Sequence, residues 1–213
     1  LSSRRQRQMC IRDSIYSMLK KRIRKFLPVV IDLETGGLDY QKNPLLEAAI
    51  QLLDFDDNHF ILGELTRFHI EPADGLEIDP ESLEFTKIDL EHPLRQAVHE
   101  KEALSQIKKI FDSQRSLYEC SRTILVAHNA HFDHNFLAQA FRRNGYSNLP
   151  FHPFSVIDTV SLGALYTGQT VLAKICKELN IEYDNELAHS AAYDAEITAK
   201  VFCKIFNNFE LNG

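Results

Sequence analysis

Leu27-Pro28-Val29-Val30-Ile31 is an unbroken apolar run rich in β-branched residues, and it leads into Asp32-Leu33-Glu34-Thr35-Gly36-Gly37. Such a run reads as a fully buried central strand. A period of two puts Asp32 and Glu34 on one face at its end, and Thr35-Gly36-Gly37 turns the chain away. Leu45 to Phe55 is apolar enough for helix or strand. The turn Asp56-Asp57-Asn58 and the loosely alternating His59 to Ile70 favour a hairpin. Glu71 to His92, with Pro72, Gly75 and Pro80, reads as a long polar loop. Helical periodicity runs from Pro93 to about Leu117 through Ala97, Leu104, Ile107, Ile110 and Phe111. Thr123 to Ala127 predicts a short buried strand, and His131 to Asn144 an amphipathic helix stopped at Gly145. Phe154 to Ile157 predicts the last strand. Asp158-Thr159 offers a cap for a helix from Val160, Thr170 a cap for a helix over Val171 to Leu179, and Ser190 to Phe209 a long closing helix. This order predicts an α/β fold, a mixed five-stranded sheet flanked by helices.

Composition narrows the picture. A chain of 213 residues with 44% hydrophobic content suits one compact domain with a sizeable core. No apolar run reaches membrane-spanning length and no signal-peptide pattern is present, so no membrane association is expected. Four scattered cysteines form no Cys-x-x-Cys pair. Cys176 and Cys203 sit among apolar residues at helical spacing, which predicts core packing and a reducing, cytoplasmic compartment. The formal charge of -6 gives no global pull toward polyanions. Lys20 to Lys25, however, carries five cations in six residues. That run is either a solvated basic face or a local phosphate-binding patch. Arg4 to Asp13 lacks apolar periodicity and capping logic, and it looks like a translated sequencing adapter. The expected organisation is therefore a non-native extension over 1–13, a basic segment over 14–26 and one domain over 27–211.

Candidate chemistry lies in the acids. Asp32 and Glu34 would repel each other if unpaired, so a cation is expected between them, with a solvated acidic turn as the plain alternative. Asp133 falls in the first turn of the helix after the buried strand Leu125-Val126-Ala127. Asp194 falls early in the final helix. Each of these two, taken alone, could simply complement a helix dipole.

Together Asp32-x-Glu34, Asn129-x-x-Phe132-Asp133 and His189-x-x-x-x-Asp194 resemble, in order and spacing, the three motifs of the DEDDh exonucleases on the ribonuclease H-like fold. Finer similarity is to the ribonuclease T family of bacterial 3′-exoribonucleases. It is carried by Pro28-Val29-Val30-Ile31-Asp32, His128-Asn129-Ala130-x-Phe132-Asp133-His134, Pro150-Phe151-His152-Pro153-Phe154, Gly168-Gln169-Thr170-Val171-Leu172 and Ala188-His189-Ser190-Ala191. The resemblance implies trimming of 3′ ends of tRNA and other stable RNAs to release 5′-mononucleotides, with single-stranded DNA also cut. It implies two Mg²⁺ ions, replaceable by Mn²⁺, with Asp32 bridging both. Glu34 and Asp194 would complete one site, and Asp133 would steady the other, partly through water. All-oxygen ligands suit these hard cations, and such a pair can clamp the attacking water and the leaving oxygen. His189 would be the general base, its intrinsic pKa being near neutral. Terminal bases would stack on Phe85, Phe132 and Phe154, with Glu81 at a base edge. A fourth family aromatic aligns with Leu38. Core packing is the alternative for each Phe. Arg22, Arg24 and Arg122 match RNA-gripping positions that face the partner's active site across a homodimer. Two further basic positions align with Ser116 and Ser147, where Arg115, Arg142 and Arg143 are close enough to substitute. His128, His131 and His134 are expected at the surface or around the site. The competing readings are a DNA-directed proofreading exonuclease and a catalytically silent RNA-binding domain. The intact set of four acids and one histidine argues against the second.

Overall fold

The computed structural model describes residues 19, 23–56 and 59–209; expectations for 1–18, for Arg22 and for the turn at 57–58 lie outside them. Strands β1 (Phe26–Thr35), β2 (Leu45–Asp56), β3 (His59–His69), β4 (Arg122–Ala127) and β5 (Val156–Asp158) form one sheet in the order β3-β2-β1-β4-β5. β1 pairs antiparallel with β2, and β2 with β3, whereas β1 with β4 and β4 with β5 are parallel. The described helices are α1 (Pro80–Thr86), α2 (Glu100–Leu117), α3 (Ala130–Arg143), α4 (Thr159–Thr167), α5 (Leu172–Glu178) and α6 (Ala191–Asn208). The expected mixed sheet flanked by helices is the fold. No described helix is long and apolar enough to cross a membrane.

Strand alternation decides which helix covers which face. Leu27, Val29, Ile31 and Leu33 of β1 pack with Leu104, Ile107 and Phe111 of α2 and with Phe136, Leu137 and Phe141 of α3. Val30, one residue out of phase, packs with Ala199, Phe202 and Cys203 of α6. Asp32 and Glu34 therefore project on the α6 side. Cys176 and Cys203 are buried, as their setting predicts, and burial pushes their thiols up to about 11 and about 12.

Four boundaries differ from expectation. The polar loop contains α1, which has no buried residue and so leaves no apolar period to read. Its signal was the Asp79 cap, which accepts from Glu81 N, followed by proline in the first turn. α2 starts at Glu100 instead of Pro93, because Val98 bridges to Ile70 in extended backbone. β5 is displaced to Val156–Asp158, set by pairing with Leu125 to Ala127. α5 is preceded by Val171 with no side-chain cap, so Thr170 does not play that part.

Candidate active site at the end of strand β1

The bare end of β1 is where four chain segments meet. β4 pairs with β1 only as far as Val30. Beyond that point the Leu33 N–H has lost its strand partner, and it donates to Asp133 Oδ1 at 3.0 Å. Asp133 reaches it from the first turn of α3, where it is buried. The start of α3 is itself held by Asp158, whose carboxylate accepts from Asn129 N and Ala130 N, each at 3.2 Å, while also capping α4 through Val160 N at 2.8 Å. This double cap was legible in the sequence only as the start of α4.

On the other side, α6 approaches the sheet closely because small residues line the contact. Ala49 of β2, opposite Asp32, packs against Ala191 and Ala195. That approach brings Asp194 to the strand. Asp194 Oδ2 accepts from His189 N at 2.9 Å, and Oδ1 is buried with no hydrogen-bond partner. Replacing Ala195 by leucine should push the helix off the sheet and cost about 100-fold in nuclease rate. The stability loss should be only about 1–3 kcal/mol. Parallel RNA-hydrolysis and thermal-unfolding measurements would separate the two effects.

One ligand oxygen from each of Asp32, Glu34 and Asp194 lies within 4.8 Å of the others. Burial holds all three carboxyls above the usual range, with the neighbouring acids adding to the rise at Asp32 and Glu34. Glu34 is pushed up to about 8. Asp133 stands outside this closest group but is the strongest charged neighbour acting on Asp32. Its own carboxyl is raised by burial, against the hydrogen bond from Leu33. A half-buried, all-oxygen set with one unpartnered buried oxygen fits a hard divalent cation.

His189 has a left-handed backbone, φ 67°, and an exposed side chain. Its ring lies 4.2 Å from that of Phe85, which is 61% exposed on α1. The segment leading into α1 is tied over the strand end by three contacts: Asp79 N donates to Gly36 O at 2.7 Å, Glu77 N to Lys42 O at 2.8 Å, and Asn43 Nδ2 to Glu77 O at 2.8 Å. A Cβ on Gly37 would stand 2.3 Å from the Asn43 side chain, so only glycine allows this staple. Glu81 is exposed in the first turn of α1, Leu38 is exposed beyond the strand, and Phe132 is half-buried with its ring 4.8 Å from Phe136.

Phe154 is elsewhere. Its ring packs 4.6 Å from His152, His152 packs 5.3 Å from Phe26, and Arg24 lies 5.8 Å over Phe26. Arg122 is the strand partner of Phe26. These five residues gather at the opposite end of β1, roughly 25 Å from Glu34 at about 3.3 Å per residue. Arg122 and Arg24 help hold the His152 imidazole below its ordinary value, after desolvation. His131 is exposed and His128 meets Thr159 Oγ1 at 3.0 Å. His134 is buried, its Nε2 2.9 Å from His152 O, and it braces the Pro150–Phe154 segment from within the core.

A family model described as "Exonuclease" matches residues 29–202. Curated relatives named ribonuclease T include those of Photorhabdus laumondii, 46% identical over 92% of this chain and 91% of that protein, and Vibrio cholerae, 47% identical over 92% and 88%. That of Histophilus somni is 44% identical over 93% and 91%. Among solved structures, E. coli exonuclease I in complex with a dT13 oligonucleotide superposes with a TM-score of 0.66 at 22% identity. The match covers 85% of this chain and 41% of that one, so it speaks for the fold alone. The chain belongs to the ribonuclease T family of metal-dependent 3′–5′ exonucleases.

Proposed function

We propose that the protein trims the 3′ ends of tRNA and other stable RNAs in the cytoplasm, releasing 5′-mononucleotides, with single-stranded DNA as a secondary substrate. The observation that carries this is the meeting of Asp32, Glu34 and Asp194 from separate parts of the chain, with Asp133 beside Asp32. These four residues would hold two Mg²⁺ ions, or Mn²⁺ in their place. Such ions, when bound, activate the attacking water and neutralise charge on the leaving oxygen. The His189 imidazole is the proton acceptor for that water. Its backbone N–H bond to Asp194 sets its distance from the acids.

Phe85 and Phe132 offer faces on which terminal bases stack, each contact worth roughly 1–3 kcal/mol. Glu81 lies four residues before Phe85 and so shares its side of α1. Exposed Leu38 supplies apolar contact there without a ring.

Arg24, Arg122 and Phe154 lie too far from Glu34 to serve the same RNA end within one protomer. In this reading they serve a partner's site in a homodimer, with Arg22 in the same segment. Arg24→Ala with Arg122→Ala should weaken RNA binding and lower the slope of log affinity against log salt by about 2. An unchanged slope rules the patch out. The reading as a whole is tested by giving the protein a 3′-extended tRNA and a matched DNA oligonucleotide with Mg²⁺. RNA should shorten faster and yield 5′-mononucleotides. RNA ends left intact with every divalent ion would overturn it, and a strong preference for DNA would favour the proofreading alternative.

A further inference from the structure

Glu47 interrupts the apolar run of β2, yet it is only 2% exposed. A carboxylate is rarely so deeply buried without a partner for each oxygen. Register explains its surroundings. Glu47 is directly opposite Glu34 on β1 and His69 on β3, so its side chain emerges on the same face as Asp32 and Glu34. It is close enough to act electrostatically on both.

The two oxygens of Glu47 are not equivalent. Oε2 accepts from Arg67 Nη2 at 2.7 Å, and His69 Nδ1 lies 3.3 Å from the same atom. Oε1 is buried with no hydrogen-bond partner. With Oε2 fixed from the β3 side, the bare oxygen is left to the acid cluster. Leaving such an acceptor unsatisfied is costly, the more so for a charged group. Among the described residues, Glu47 supplies no oxygen to the group of three within 4.8 Å. It is the cross-strand neighbour of Glu34, outside that closest group.

We infer that Glu47 is a positioning residue for the divalent-ion site, its Oε1 accepting a hydrogen bond from a water in the ion's hydration shell. This rests on the reading of Asp32, Glu34 and Asp194 as the residues that hold the ion. Mg²⁺ demands near-octahedral coordination and keeps several waters when only a few carboxylates reach it. Those waters need acceptors with fixed positions, and Oε1 is one whose direction Arg67 and His69 set. Outer groups of this kind govern ion affinity without touching the ion.

Glu47→Gln is the discriminating variant. Arg67 is a donor, so the amide oxygen must turn toward it, which puts the amide NH₂ where Oε1 was. That group cannot accept from a water. Titration of the full-length protein with Mn²⁺, followed by the spectroscopic signal of the free ion, should show affinity about tenfold weaker. The number of ions bound should be unchanged, and the metal-free protein should unfold at no lower temperature. Glu47→Asp keeps its charge against Arg67 and His69 but withdraws the bare oxygen, and it should lose affinity similarly. It serves should the glutamine variant fail to fold. Mn²⁺ affinity equal to that of the unaltered protein in the folded variants would overturn the inference. Loss of one ion from the stoichiometry would also overturn it, by making Glu47 a direct ligand. If the unaltered protein itself binds no Mn²⁺, the underlying site reading falls as well.

Discussion

Asp32→Asn should abolish RNA hydrolysis, by on the order of 10⁴-fold, and yet raise the melting temperature of the metal-free protein. Asp32 is surrounded by Asp133, Glu34, Asp194 and Glu47, and burial with their charge holds its carboxyl well above the usual range. The folded chain therefore binds more protons than the unfolded chain wherever these groups titrate. Stability conferred by those protons is present at low pH and is lost as pH rises from about 4 through the folded value, about 8 for Glu34. The metal-free protein should accordingly melt at progressively lower temperature over that window, and Mg²⁺ should reverse the trend. Asparagine removes one of the repelling charges. At this chain length each kcal/mol gained is worth roughly 2–4 °C, so a rise of several degrees at pH 8 is expected. Thermal scans across pH, with and without Mg²⁺, would check this; a variant less stable than the parent at pH 8 would contradict the electrostatic account.

His189→Asn should lower the single-turnover rate by about 10²- to 10⁴-fold, the range for loss of a general base. Asparagine tolerates the left-handed backbone at this position and keeps the N–H that Asp194 accepts from. The carboxylates are untouched, so Mn²⁺ affinity should stay at the parent level. A parallel fall in ion binding would instead make His189 a support for Asp194. The Phe85 ring, packed against the imidazole, loses that neighbour in the variant, which should also raise KM modestly.

The fold was legible where apolar residues run unbroken, as in β1 and β4, or fall on one face of a helix, as in α3 and α6. The boundaries of these elements shift by only a residue or two. α1 has no apolar period because it buries nothing, and its only signal was the Asp79 cap with the proline after it; it is held by that cap and by backbone contacts to the β1–β2 loop. The acids were legible as a set through their motifs, although periodicity alone could place only Asp32 and Glu34 on a common face. Glu47 was visible as a charge within an apolar strand, but its meaning depends on strand register, which a single strand does not reveal. Phe154 shows a different limit. Its segment matches the family closely, yet only the sheet's direction tells which end of the molecule it occupies.

The bond between Asp133 and the Leu33 N–H bears on how a substrate trap should be built. An inactive protein meant to capture RNA ends must keep its binding surface while losing chemistry. Truncating Asp133 to alanine would orphan a buried amide at the rim of β1, at a cost of about 1–3 kcal/mol, and loosen the surface being used as bait. Asp32 has no such second duty among the hydrogen bonds described, so it is the position at which to silence the enzyme and keep its grip.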